Sequence, residues 1–179
     1  ASFSLSQQIN FFGKHFSFDN PAASTMLGVI LKRLTDKYSV SLQDAKTLLV
    51  ICSTKGDIEQ LSEKHPTPLL DLSIKMKALF NLANSPVILS NACVSSLHGL
   101  IYAKRLVASG IYDSVIVAGV DAETEFIRKG FASLMAISNE PCRPFDAARN
   151  GITLGEAVAL ALVEPKPQGN FPVKIVGGA

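Results

Sequence analysis

The chain has 179 residues, 47% of them hydrophobic, which is enough for one domain with a sizeable core. Its formal charge of +2, with no basic run longer than Lys32-Arg33, excludes the electrostatic footprint of a nucleic-acid binder. No apolar run approaches a membrane span and no secretory signal opens the sequence; Cys52, Cys93 and Cys142 are too widely spaced to suggest a disulfide framework or a metal site, so the chain reads as cytoplasmic and reduced.

In chain order, Ala1 to Phe18 first alternates Phe3 and Leu5 with serines, then crowds Ile9, Phe11, Phe12 and Phe16 together, which suits a short strand and a loop packed on a neighbour. Asp19 or Asn20 with Pro21 signals a helix start, and Met26, Leu27, Ile30, Leu31 and Leu34 mark one face of a helix to about Tyr38. Thr47 to Ser53 is a buried strand, followed by a turn at Thr54 to Asp57 and a helical stretch with Ile58 and Leu61. After a loop at His65 to Pro68, Leu69 to Leu82 resumes a helix with Leu72, Met76, Leu79 and Phe80 on its apolar face.

Val87 to Leu89 is a short apolar strand, and a helix with Leu97 and Ile101 follows it, with Gly110 as its C-terminal cap. Ser114 to Val120 is a further buried strand, and Glu123 to Ile137 holds helical fragments carrying Phe126, Phe131 and Leu134. Asn139 to Gly151 is a polar, proline-marked loop; Ala157 to Val163 is a strand, Pro165 to Gly169 a turn, and Phe171 to Val176 a last strand. Strands apolar on both faces and separated by helices predict a layered α/β fold, one domain over residues 1–179, with a mixed, mostly parallel sheet.

Cys93 falls where a strand ends and a helix begins. A thiolate there faces unpaired backbone N–H groups and the positive end of the helix dipole, which raises its reactive fraction. Ala92, Ser95 and Ser96 leave room for an acyl group, and the Cys93 N–H could stabilise an oxyanion on a thioester carbonyl. The local pattern fits a buried structural cysteine equally well.

Three segments, Ser90-Asn91-Ala92-Cys93-Val94-Ser95-Ser96, Val117-Ala118-Gly119-Val120-Asp121 and Cys142-Arg143-Pro144-Phe145-Asp146 through Gly155-Glu156, resemble in order and spacing the β-ketoacyl-acyl-carrier-protein synthases, condensing enzymes of the thiolase superfamily. The Arg-Pro-Phe-Asp segment resembles the elongating synthases more than the initiating synthases, thiolases or chalcone synthases. The resemblance covers residues 48–179 well and 22–38 loosely. It implies a thiolase-like fold of two halves, of which this chain is the N-terminal one. The family's opening strand has no clear match at Ala1 to Ser6, and Ala157 stands where the family usually has a second glycine.

The resemblance further implies that Cys93 accepts an acyl group from a carrier-protein or coenzyme A thioester, and that a malonyl group on acyl carrier protein is decarboxylated and condensed with it. Phe131 matches an aromatic that lines the family's acyl pocket, although an ordinary core phenylalanine fits as well. Lys55 stands in a turn where the family presents glycines and an apolar pocket residue; it is either a solvated turn charge or a group that disfavours long saturated chains. The family's two histidines and lysine lie in the second half, so the chain alone is expected not to condense. His98, about 140° around the helix from Cys93, does not supply one, and His15 and His65 read as loop histidines. Asp146, Arg149 and Glu156 are expected to satisfy one another or buried backbone. No cofactor or metal is implied; a homodimer formed through Val87 to Ser90 is. Two alternatives stay open: a non-catalytic partner like a chain-length factor, and another thiolase-superfamily acyl-transfer enzyme.

Overall fold

The computed structural model describes residues 2–4, 22–165 and 172–175. One six-stranded sheet organises them, built from β1 (Ser2–Ser4), β2 (Thr47–Cys52), β3 (Val87–Leu89), β4 (Ser114–Asp121), β5 (Ala157–Glu164) and β6 (Pro172–Lys174) in the order β3-β2-β4-β5-β1-β6. β2 pairs in parallel with both β3 and β4, while β5 is antiparallel to β4 and β1 is antiparallel to β5 and β6. The sheet is therefore mixed as expected, but parallel pairing is confined to β3-β2-β4. Apolar runs mark buried strands without fixing their direction, because hydrophobicity is the same read either way.

The helices cover both faces. α1 (Ala23–Lys37) and α2 (Pro68–Phe80) share a core with Leu49, Ile51, Ile116, Ala118, Leu160 and Leu162. α3 (Ser95–Ala108) contributes Ala103 and Val107 to a second core with Leu48, Val50, Cys52, Val115, Val117, Ala161 and Val163. Successive β2 residues thus alternate between two apolar layers, which is why the strand shows no polar alternation in sequence. The burial spacing of Met26, Leu27, Ile30, Leu31 and Leu34 is the helical one the sequence shows.

The element ends follow local chemistry. Pro68 opens α2, where its missing N–H costs nothing, and Asn81 closes it in the left-handed region at φ 48°. Gly110, at φ 71°, follows the end of α3 as expected, and its N–H donates to the Val107 carbonyl. The helix start expected at Asp19 to Pro21 lies outside the described residues, as do His15 and most of the Ala1 to Phe18 and Pro165 to Gly169 segments. The stretch after Asp57 is a single 3-10 turn, Ile58–Gln60, with Leu61 exposed. α4 (Glu125–Ser133) forms in the expected region, its first turn capped by the Thr124 hydroxyl accepting from the Ile127 N–H, but the described residues bury none of its side chains. No described helix is long and apolar enough to cross a membrane.

Asp57 locks the turn after β2 to both helices of the first layer. Its carboxylate, 1% exposed, accepts from Lys75 Nζ of α2 at 2.8 Å and from the Ser24 N–H of α1 at 2.8 Å. Burial alone would push its pKa up; the hydrogen bonds from Lys75 and Ser24 outweigh that and hold it below the ordinary carboxylate value. The folded pKa is depressed, so the stabilisation is present above the unfolded carboxyl pKa and is lost as pH falls through the folded one. Asp57→Asn is expected to destabilise by about 1–3 kcal/mol at neutral pH. Urea midpoints should show the gap to wild type closing in acid, where Asp57 is itself protonated. A gap independent of pH would sink the assignment.

Candidate active site

Four chain segments meet at one edge of the sheet. The parallel register pairs Cys52 with Leu89 and with Gly119, and the antiparallel one pairs Asp121 with Ala157. The turn after β2, the turn after β3, the segment after β4 and the lead into β5 therefore all lie beyond the same strand ends, the side where open α/β sheets place ligands. Asp121 ties the first to the third: its Oδ1 accepts from the Ser53 hydroxyl at 3.1 Å and from the Thr54 N–H and hydroxyl, both at 2.9 Å. The Ser90 hydroxyl donates to the Thr54 carbonyl at 3.3 Å, joining the turn after β2 to the approach to Cys93.

The turn from β3 into α3 presents Cys93 as a free, exposed thiol. Cys93 belongs to neither apolar core of the described residues. Ala92, immediately before it, sits in the left-handed region at φ 47°, which costs a residue with a Cβ about 1–2 kcal/mol. The Asn91 N–H donates to the Ser95 hydroxyl at 2.7 Å, and that hydroxyl donates to the Ala92 carbonyl at 2.7 Å. The Asn91 side-chain amide lies 3.0 Å from His98 Nδ1. His98 is thus tied to the turn that carries the thiol, a link that helical spacing from Cys93 does not reveal.

The thiol's height above the sheet is set by glycines. A Cβ at Gly99 would come within 2.5 Å of Cys52 Sγ and 2.9 Å of Val117 Cγ1, and one at Gly119 within 2.6 Å of Ser96 Oγ. Their absence lets α3 lie close on β2 and β4. Cys52, beneath Gly99, is buried, and that burial pushes its thiol up to about 11 against a smaller opposing effect of the Gly99 backbone. At neutral pH it stays protonated and inert, in keeping with a core cysteine.

Of the other residues singled out in sequence, Lys55 is exposed in the turn after β2. Phe131, 38% exposed, is on α4, whose Phe126 N–H donates to Glu59 Oε1 of the 3-10 turn. The hydrogen bond from Ser90 to Thr54 brings Lys55's turn next to Cys93's; no hydrogen bond among the described residues ties Phe131 to either. His65 Nδ1 stands 3.4 Å from Asp71 Oδ2 without forming a hydrogen bond, and that oxygen is buried with no such partner.

The family description "Beta-ketoacyl synthase, N-terminal domain" matches residues 73–169, just over half of the chain and all of the turn that carries Cys93. The chain belongs to the β-ketoacyl synthase family. The 3-oxoacyl-[acyl-carrier-protein] synthase 2 of Coxiella burnetii is 31% identical over 107 residues, 55% of this chain and 26% of that protein. Nodulation protein E of Rhizobium meliloti is 33% identical over 76 residues, 42% of this chain and 19% of that protein. Among solved structures, a β-ketoacyl synthase from Burkholderia phymatum superposes with a TM-score of 0.62 at 22% identity, covering 79% of this chain and 41% of that one. The ishigamide ketosynthase/chain length factor gives 0.64 at 20%, covering 83% and 43%. The similarity spans about a quarter or less of these curated relatives and under half of these solved chains.

Within this ketoacyl synthase domain, the charged residues of the loop from Arg143 to Glu156 meet the backbone half of the expectation, but at exposed rather than buried groups. Asp146, Arg149 and Glu156 do not pair with one another, and all are exposed. Asp146 Oδ1 accepts from the Ala148 N–H, Arg149 donates to the Asp146 carbonyl, and Glu156 Oε2 accepts from the Glu123 N–H. Arg143 binds Glu140 and the Ala148 carbonyl. The loop is braced by its own backbone, and Gly151, at φ 133°, fits where a Cβ would lie 2.8 Å from the Ala136 carbonyl. Phe145 points fully into solvent, and Leu134 and Met135 are exposed as well. Cys142, whose N–H donates to Thr153 Oγ1, is exposed and free, with no group arranged to activate it among the described residues.

Proposed function

We propose that this chain supplies the acyl-accepting half of a β-ketoacyl-carrier-protein synthase, with Cys93 as nucleophile. The observation that carries the reading is an exposed thiol on a left-handed turn between β3 and α3, inside the stretch matched by the family. The Cys93 thiolate attacks the carbonyl of an acyl thioester, the Cys93 N–H stabilises the oxyanion, and the carbon–sulfur bond to the donor breaks to release it as a thiolate. A malonyl group on acyl carrier protein then loses carbon dioxide. Its electron pair attacks the acyl-cysteine carbonyl, forming the new carbon–carbon bond and releasing the Cys93 thiolate with a β-ketoacyl product.

Decarboxylation needs cationic or hydrogen-bonding groups at the malonyl carboxylate and carbonyl. The described residues place neither His65 nor Lys75 there, since these face Asp71 and Asp57. We assign those groups to a second half like the one that makes up the rest of the family's longer chains, so this chain alone does not condense. Phe131 and Lys55 are assigned to the acyl pocket. A charged Lys55 at its wall selects short or polar acyl groups. The edge of β3 left unpaired among the described residues is assigned to a homodimer, and three unpaired cysteines suit a reducing, cytoplasmic setting. A chain-length-factor-like role is disfavoured by the presence of Cys93 itself.

The test is intact mass of the full-length protein after incubation with an acyl-carrier thioester, or with a cysteine-directed condensing-enzyme inhibitor such as cerulenin. Trypsin separates the three cysteines onto different peptides. A single adduct on the Cys93 peptide is expected. Labelling shared equally with Cys142, or none, makes the non-catalytic partner the better reading.

A further inference from the structure

We propose that Ser95 is the positioning residue for Cys93: its hydroxyl clasps the Asn91–Ala92 turn and holds Ala92 in the left-handed conformation that aims the thiol. The inference rests on Cys93 being the acyl-accepting nucleophile and names the device that presents it. Ser95 opens α3 but does not cap it in the ordinary sense, in which a hydroxyl accepts from an N–H further along the helix. Its oxygen reaches backward, accepting from the Asn91 N–H and donating to the Ala92 carbonyl, both at 2.7 Å. The two bonds bracket Ala92. Ser95 is 5% exposed, so water does not compete for them, whereas the adjacent Ser96 is exposed.

The bracket is needed because Ala92 prefers negative φ. At φ 47° it is held against that preference, and a return to negative φ would swing the next residue, Cys93, away from its present direction. The contact of Asn91 Nδ2 with His98 Nδ1 at 3.0 Å adds a second tie between the turn and the first turns of α3, but through exposed side chains. The buried hydroxyl therefore carries most of the restraint.

The experiment follows acyl transfer from a carrier thioester in the full-length protein, with kcat and KM separated and thermal unfolding measured alongside. Ser95→Ala should lower kcat by about 10- to 100-fold, the usual scale for a misplaced reacting group, with little change in KM. Ser95→Thr, which keeps the hydroxyl, should recover most of the rate. Ala92→Gly added to Ser95→Ala provides the second arm, because glycine adopts positive φ without the cost that alanine bears. The double variant should regain most of the rate lost in Ser95→Ala, a rescue that a merely structural serine would not produce. A wild-type rate in Ser95→Ala overturns the proposal, as does a well-folded Ser95→Thr as slow as Ser95→Ala, or a double variant no faster than Ser95→Ala. If instead Cys93→Ala still transfers acyl groups, the nucleophile assignment fails, and with it the premise.

Discussion

Cys93→Ala is expected to abolish acyl transfer in the full-length protein, by about 10^4-fold or more, while leaving the unfolding midpoint within a degree or two of wild type. The first half follows from the covalent step: without the thiol no acyl-enzyme forms, and losing a nucleophile typically forfeits that order of rate. The second half follows from exposure. The Cys93 side chain fills no part of either core, and surface truncations seldom change stability by more than about 0.5 kcal/mol. The contrast with Cys52 is diagnostic. Cys52→Ala empties space in the core shared with Val50 and Val117, so it should lower the midpoint and leave acyl transfer in place. Transfer by Cys93→Ala at more than a tenth of the wild-type rate would remove Cys93 from the chemistry.

The parts of the molecule that were legible in the sequence are those written in local pattern. Helical spacing of Met26, Leu27, Ile30, Leu31 and Leu34 gives α1, the continuous apolar run at Thr47 to Cys52 gives a strand covered on both faces, and Gly110 marks the end of α3. The strand–turn–helix junction at Cys93 is equally local. Strand direction is not, because β5 reads as apolar as β4 yet runs opposite to it. Nor does apolar character reveal whether its partner is present. Phe126, Phe131 and Leu134 recur like a core face, but the described residues leave all three exposed. Asp146, Arg149 and Glu156 could pair with one another or with backbone, and only the structure shows that the loop's turns bring each of the three to a backbone group. Ser95 could have been suspected from its place at the start of a helix, but only the structure shows its hydroxyl reaching backward.

Gly99→Ala is expected to destabilise the fold by about 1–3 kcal/mol and to slow acylation of Cys93 as well. Helix propensity alone predicts the opposite sign, since alanine is favoured over glycine inside a helix by up to about 1 kcal/mol. The close approach decides against it. A Cβ placed 2.5 Å from Cys52 Sγ and 2.9 Å from Val117 Cγ1 meets two buried side chains on neighbouring strands, β2 and β4. Neither is a flexible end that can turn into solvent, so α3 must lift. Because α3 begins at Ser95, lifting it displaces the hydroxyl that brackets Ala92 and hence the thiol. Cys52→Ala in the Gly99→Ala background removes the closer of the two contacts, so a double-mutant cycle should show a favourable coupling of about 1 kcal/mol and partial recovery of the acylation rate. Val117 keeps the recovery partial. If Gly99→Ala instead stabilises the protein, helix propensity has outweighed contact and α3 does not rest on Cys52 as closely as the geometry requires. If stability falls but Cys93 acylates at the wild-type rate, the height of the helix and the aim of the thiol are independent, and the turn alone sets the nucleophile's position.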